Sequence, residues 1–320
     1  MKKILLFFCL CVCATAVNAQ LFTTVDTEKA YKLCDKQKYR QAIPILEKEA
    51  SVGVVKAMFG LGLIYTNGHG VPKDKGKAIE WFEKAANKGA VEAENMLGRM
   101  YYADTDIPQD CQKALMWLEK AAKKNQKDAY LLMGNIYAEG KCVPQNYNKA
   151  LQCYLSAGSM GSADALYNAA AQYMNGWGIP QNYKNGRDYY VKAAYAGHKE
   201  AQFKLGLIYE QGIGVPQDYN KAAIWYTKAA NDGVAEGQFA IGNLYFSGQG
   251  VEQDGKKAKE WFEKAALQGF APAQYNLGVM YYEGKGVKKD RNKGKQWLRK
   301  AAAQGHAEAQ AALNSIPPER

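Results

Sequence analysis

Gly68-His69-Gly70-Val71-Pro72-Lys73-Asp74-Lys75-Gly76-Lys77-Ala78-Ile79-Glu80-Trp81 carries a pattern, G-x-G-V-P-x-D-x-x-x-A-x-x-W, that returns every 36 residues toward the end of the chain. Tyr65 shares the period, with counterparts at Tyr101, Tyr137, Tyr173, Tyr209, Tyr245 and Tyr281 and no insertion between them. A strict repeat means stacked copies of one supersecondary unit, each burying its apolar face on its neighbours. Such a stack offers extended surface rather than one enclosed catalytic pocket.

Residues 198–233 serve as the type repeat. Ala201, Leu205, Gly206, Ile208 and Tyr209 recur at spacings of three and four, which places them on one stripe of a helix. Gly212 and Gly214 stop that helix, and Pro216 forbids its continuation. Asp218 then opens a second helix, because a carboxylate at the N-cap accepts the first unpaired amide protons and complements the helix dipole. Asp74, Asp110, Asn146, Asn182, Asp254 and Asp290 stand at the same place. The second helix shows Ala222, Trp225, Tyr226, Ala229 and Ala230 on its inner side and ends at Gly233. The pairing of small and large residues predicts that Gly206 and Ala222 let two helix backbones approach, while Tyr209 and Trp225 fill the wider gaps.

Counting from Val54 gives seven full repeats over 54–305, and the eighth, from His306, is a stub. His306 to Asn314 reads as one short Ala-rich helix before Pro317 and Pro318, a capping helix with a tail over 306–320. At the other end, Ala30, Tyr31, Tyr39, Ala42, Ile43, Leu46 and Ala50 mark a shorter helical pair within 26–53, without the Gly-rich loop. It reads as an N-terminal tetratricopeptide-like cap over 20–53 or as an eroded repeat.

Ala57, Leu61, Gly62, Tyr65, Gly68, Gly70, Val71, Asp74, Ala78, Trp81, Ala85, Ala86 and Gly89 resemble the repeat unit of the Sel1-like repeat family, relatives of tetratricopeptide proteins. The resemblance covers about 54–314. It implies an all-α fold, an α/α right-handed superhelical solenoid with a concave groove, and a role as adaptor or scaffold for other proteins. Three repeats depart from the pattern. The second has Asp104, Thr105 and Asp106 where the loop glycines belong. The third has Cys142 at a glycine and Cys153 at the tryptophan, and the fourth exchanges its small residues as Ala170 and Gly186. These read as drift within a tolerant repeat, with a local bend or binding feature as the alternative.

The chain opens differently. Lys2 and Lys3 precede an almost wholly apolar run from Ile4 to Val17, and Val17-Asn18-Ala19 ends in small residues suited to cleavage before Gln20. This reads as a secretory signal over 1–19 and predicts export to a periplasmic or extracellular place. The run of about 14 apolar residues is short of the roughly 20 a spanning helix needs. Phe8, Leu10 and Val12 precede Cys9, Cys11 and Cys13, where a lipid-attachment site shows a small residue. Removing residues 1–19 takes two lysines and no acid, so the formal charge falls from +11 to +9. A basic balance suits anionic lipid, polyanionic glycans or acidic partners. Lys84, Lys120, Lys192, Lys228, Lys264 and Lys300 recur at one helix position, however, and read as a solvated face rather than a nucleic-acid footprint.

In the resembled family the first helix of each repeat lines the groove, and the sixth, tenth and thirteenth positions point into it. Here these include Phe59, Leu63 and Thr66, then Asn95, Arg99 and Tyr102, then Leu131, Asn135 and Ala138. They continue with Tyr167, Ala171 and Met174; Phe203, Leu207 and Glu210; Phe239, Asn243 and Phe246; and Tyr275, Val279 and Tyr282. Partner-binding candidates are Arg99, Tyr102, Asn135, Tyr167, Met174, Phe203, Glu210, Phe239, Asn243, Phe246, Tyr275 and Tyr282, with the two asparagines suited to pair with a peptide backbone. The competing reading of the sixth position is packing between repeats.

No catalytic, cofactor or metal site is expected. His69, His198 and His306 fall in loops or at helix starts of separate repeats, at no zinc or catalytic spacing. Each G-x-G is a helix stop without a preceding strand, so it is not a dinucleotide fingerprint. A cysteine-rich branch of the family has been linked to penicillin binding, but its paired cysteines within each repeat are absent here. Export permits disulfides, and stacked neighbours bring Cys111 and Cys142 together as a candidate bridge, with Cys153 a buried thiol. The expectation is an exported non-enzymatic adaptor binding a protein or peptide as a monomer, without nucleic acid or an integral membrane segment. The alternative is a cell-envelope factor that binds glycan or peptidoglycan fragments through Tyr and Trp stacking.

Overall fold

The computed structural model describes residues 24–316; the expected leader and the tail from Pro317 lie outside them. The described residues form seventeen helices and no strand. They divide into two compact units between Met160 and Gly161. The first contains α1 (Val25–Asp35), α2 (Tyr39–Ser51), α3 (Val55–Asn67), α4 (Lys75–Asn87), α5 (Val91–Ala103), α6 (Cys111–Lys123), α7 (Lys127–Glu139) and α8 (Tyr147–Ser159). The second contains α9 (Ala163–Asn175), α10 (Tyr183–Tyr195), α11 (Lys199–Gln211), α12 (Tyr219–Asn231), α13 (Ala235–Ser247), α14 (Gly255–Leu267), α15 (Ala271–Glu283), α16 (Arg291–Ala302) and α17 (Ala307–Asn314). Odd-numbered helices are the first of each hairpin and even-numbered helices the second.

Local chemistry sets these boundaries. Gly212 takes the left-handed conformation at φ 70° and its amide bonds Ile208 O, closing the first helix of the type repeat. The chain then returns so that the Asp218 amide donates to Tyr209 O at 2.8 Å. The equivalent bond joins the N-cap residue to the tyrosine of every repeat, from Asp74–Tyr65 to Asp290–Tyr281, and ties the loop to a fixed length. Asp218 Oδ1 accepts the Lys221 amide at 2.9 Å, as an N-cap should. A side chain adds a further tie: Gln217 Nε2 donates to Glu210 O at 2.6 Å. Gln109, Gln145, Gln181 and Gln253 do the same to Tyr102, Ala138, Met174 and Phe246. This glutamine recurs in five repeats and satisfies a carbonyl that the first helix leaves open.

The packing differs from the expected one in its key. The large, fully buried residue of the second helix is the one after the tryptophan position: Phe82, Leu118, Tyr226, Phe262 and Leu298 are all about 1% exposed or less. The recurring glycine of the first helix faces that residue. A Cβ on Gly242 would stand 2.7 Å from the Phe262 ring, and one on Gly206 would collide with Tyr226. The glycine therefore makes room for a side chain rather than for a neighbouring backbone. Trp225 and Tyr209, expected to fill gaps between layers, are only half-buried. Each instead carries a lysine: Lys228 Nζ lies 4.3 Å from the Trp225 centroid and Lys221 Nζ 5.6 Å from that of Tyr209. The recurring lysines are thus laid over aromatic rings, their stems shielding apolar surface.

The exchange in the fourth repeat is compensated locally. Gly186 lies where a Cβ would meet Met174 Sδ at 2.5 Å, so the missing methyl on α10 houses a methionine from α9. At the ends of the described residues, α1 and α2 form a leading helical pair, and α17 packs against Leu298 and Ala301 of the last repeat.

Candidate functional site

The first helices place the twelve partner-binding candidates at three depths. The sixth position is a joint. Tyr167 stacks on His198 at the start of the next repeat (4.2 Å, 6°) and packs tilted against Tyr190. Phe203 meets Tyr226, Phe239 meets both Phe262 and Phe270, and Tyr275 stacks on His306 at 4.9 Å. Each aromatic is half-buried by these contacts. Asn95, which the pattern placed in the groove, is buried at 8% exposure, and its Oδ1 has no partner among the described residues. It stands at the position that Phe59, Tyr167, Phe203, Phe239 and Tyr275 hold in other repeats. His198 and His306 also use Nδ1 to accept the amides of Ala201 and Ala309, so both serve as N-caps.

The tenth position is mixed. Arg99 is exposed. Asn135 Oδ1 accepts the Tyr154 hydroxyl at 2.9 Å, and Asn243 Oδ1 accepts Asn276 Nδ2 at 3.0 Å. Those acceptors are committed within the fold, which removes part of the backbone-pairing capacity expected of them.

The thirteenth position is exposed at Phe246 alone among the candidates. Phe246 is 38% exposed, and Tyr282, Tyr102, Met174 and Glu210 are half-buried. Glu210 accepts the Tyr226 hydroxyl at 2.6 Å. Burial, with a hydrogen bond to Glu139, pushes the Tyr102 phenol up to about 12, and Lys141 pairs with the same carboxylate at 2.6 Å. In residues 161–316 a cavity of about 440 Å³ lies among Tyr167, Lys199, Phe203, Lys204, Asp232 and Glu236, near the starts of α11 and α13.

The loop departures of the second and third repeats fall at one kind of joint, where the loop of a hairpin meets the start of the preceding second helix. In regular repeats glycine permits close approach there: a Cβ on Gly214 would strike Tyr183 and one on Gly250 the Tyr219 backbone. In the second repeat Asp104 pairs with Lys75, and Asp106 pairs with Lys73. In the third, Cys142 forms a disulfide with Cys111 across a Cα–Cα distance of 6.0 Å. The free thiol of Cys153 is buried, and burial pushes it up to about 11.

Lys75 and Asp104 are only 15% and 14% exposed in their side chains. Burial pulls the Asp104 carboxyl upward, but the bond to Lys75, the Asp106 amide and the two lysine charges outweigh it and hold the carboxyl below its ordinary value. A depressed carboxylate stabilises the fold above the unfolded value near 3.8 and loses that contribution as pH falls further. Asp104→Asn should cost about 1.5–3 kcal/mol at neutral pH. Urea melts should show that cost shrinking below about pH 4; an equal difference between the two proteins at pH 7 and pH 3 would sink the assignment.

A half-buried polar pair recurs in four hairpins. The fifth residue of a repeat bonds the thirty-fifth: Glu94 to Lys124 at 2.8 Å, Gln202 to Asp232 at 3.0 Å, Gln238 to Gln268 at 2.9 Å and Gln274 to Gln304 at 2.8 Å. Gln238 and Gln274 also donate to Ala230 O and Ala266 O of the preceding repeat. The signal was legible as covariation between copies, since in these four repeats both places are polar. The pair ties the start of a first helix to the end of the second helix of the same hairpin, and the bonds of Gln238 and Gln274 to Ala230 O and Ala266 O join one hairpin to the next.

Among the described residues no helix is long and apolar enough to cross a membrane, and no group of three or more His, Cys, Asp or Glu is placed to hold a metal ion. The Sel1 repeat model matches residues 55–89, 91–126, 127–162, 163–198, 199–234, 235–270 and 271–306. A Sel1 repeat protein from Oxalobacter formigenes is similar at 29% identity and a TM-score of 0.77, over 97% of this chain and 98% of that one. The protective antigen c5321 of uropathogenic Escherichia coli is similar at 31% identity and a TM-score of 0.64, over 91% and 71%. No curated protein matches the chain. Seven contiguous matches and a hairpin geometry shared with solved relatives make this chain a member of the Sel1 repeat family.

Proposed function

We propose that this chain is an exported, non-enzymatic adaptor that binds an extended protein segment along the first-helix face of residues 161–316. The observation that carries this reading is the thirteenth position of the last two full repeats, where an exposed Phe246 and a half-exposed Tyr282 stand on successive first helices. Internal packing absorbs the recurring residues, and these two vary between copies. A bound segment would bury them together with the half-exposed edges of Phe239 and Tyr275.

The magnitude argues for a long interface. If Phe246 and Tyr282 each lose about 100 Å² of exposure, the gross gain is about 5 kcal/mol at 25 cal/mol/Å². Association alone costs roughly 4–15 kcal/mol. Two anchors do not suffice, so contacts must extend over several repeats. Phe246→Ala combined with Tyr282→Ala should weaken the partner roughly thirtyfold or more. Affinity capture from the exported fraction, with parent and double variant side by side, checks this; a partner retained equally by both ends the proposal. The glycan reading gains no specific observation, since one face of Tyr167 is covered by His198 and the Tyr102 hydroxyl is bonded to Glu139.

A further inference from the structure

Charge is sorted between the two helix layers of residues 161–316. The second helices α10, α12, α14 and α16 carry fourteen Lys and Arg against three Asp and Glu. The first helices α9, α11, α13, α15 and α17 carry two against six. The basic character peaks between Lys285 and Lys300, where eight basic residues stand with one acid, Asp290. The whole chain has a net charge of +11, so much of the imbalance sits in this one hairpin. Solubility is served by interspersed charges of both signs, not by a layer of one sign.

The basic layer also exposes large apolar side chains. Tyr195 is 75% exposed, Ile224 56% and Leu267 75%, all on second helices. Lys192 and Tyr195 on α10, Ile224 and Lys228 on α12, and Lys264 and Leu267 on α14 follow i, i+3 or i+4 spacing, which places them on one outward stripe, where the exposed acids Asp188 and Glu260 stand at the register of Ile224 on α10 and α14. Lys228 and Lys264 lie 4.3 and 3.9 Å from the centroids of half-buried Trp225 and Trp261. Lysine over tryptophan with exposed aliphatics between them is the composition of a surface that meets a bilayer interface.

We propose that the second-helix layer of residues 161–316 docks peripherally on an anionic phospholipid surface. Lipid phosphates attract the Lys285–Lys300 hairpin, and Ile224, Leu267 and Tyr195 enter the boundary between headgroups and acyl chains. A soluble polyanion would use the lysines and leave Ile224 and Leu267 in water. The acidic first-helix layer is repelled by the same surface, so the face proposed to hold a partner is turned away from the lipid.

Vesicle flotation of the full chain tests this, with phosphatidylcholine alone and with roughly a quarter phosphatidylglycerol. Residues 1–23 include an apolar run, so the readout is the difference between proteins that share it. The parent should bind the anionic vesicles more tightly, and less so as salt rises. Lys288→Gln, Lys289→Gln and Arg299→Gln together should lower partitioning about 100-fold, at roughly fivefold per charge. Ile224→Ser with Leu267→Ser should lower it about tenfold or more while keeping the salt dependence. All five positions are exposed, and circular dichroism checks that the variants remain folded. Equal binding to both vesicles, or a triple charge variant that binds like the parent, overturns the proposal. Heparin binding with no loss of lipid partitioning in the Ile224 and Leu267 variant would assign the patch to a soluble polyanion and overturn it as well.

Discussion

Tyr226→Ala should destabilise residues 161–316 by about 3–5 kcal/mol. The ring is fully buried, fills the space above Gly206 and packs on Phe203 at 5.7 Å, while its hydroxyl donates to Glu210 at 2.6 Å. Tyr226→Phe keeps the ring and removes only the bond, for about 1–3 kcal/mol. Gly206→Ala in the parent should cost about 1–3 kcal/mol, because the new methyl collides with the ring. In the Tyr226→Ala background that cost should nearly vanish, since the space is then open. Urea unfolding of the four proteins gives the coupling; additive effects would show that the glycine is not there for the ring. Burial, and then the Glu210 carboxylate, push the phenol of Tyr226 far above its usual value. Its contribution is therefore fully present below about pH 10 and is lost as pH rises and the unfolded chain ionises.

Loss of the Cys111–Cys142 bond should remove about 3–4 kcal/mol, from loop closure over a separation of 31 residues. Both cysteines lie in residues 24–160, so a reductant should lower the stability of that unit. Cys111→Ser with Cys142→Ser should reproduce the effect and abolish its response to reductant. Peptide mapping without reductant should recover the two cysteines as one linked mass. Two separately alkylated peptides would end the assignment. Cys153 should resist alkylation in the native protein, because burial favours its neutral thiol over the reactive thiolate.

These expectations rest on different kinds of information. The 36-residue period, the left-handed glycine stop at Gly212 and the aspartate cap at Asp218 involve groups a few residues apart, so single-sequence spacing reveals them. The bridge between Cys111 and Cys142 was within reach because the period aligns a second-helix start with the next loop. The candidate face was legible only as a set of positions. Aligned copies identify Phe246 and Tyr282 as variable, but they do not say that Tyr167 is covered by His198 or that Asn135 and Asn243 are held by Tyr154 and Asn276. Burial of Asn95 was missed because the sixth position usually carries an aromatic and its neighbours lie on other helices.

By itself the sequence determined a stack of helical hairpins, where each helix starts and stops, and the family, because capping, dihedral preference and periodicity act within one repeat. Tertiary structure decided which large side chain lies above the glycine, which polar pairs close the hairpins and how the charges separate into layers. Those outcomes depend on side chains about 20–35 residues apart meeting in space, where small differences in volume and hydrogen-bond partner select between neighbouring positions on the same helix face.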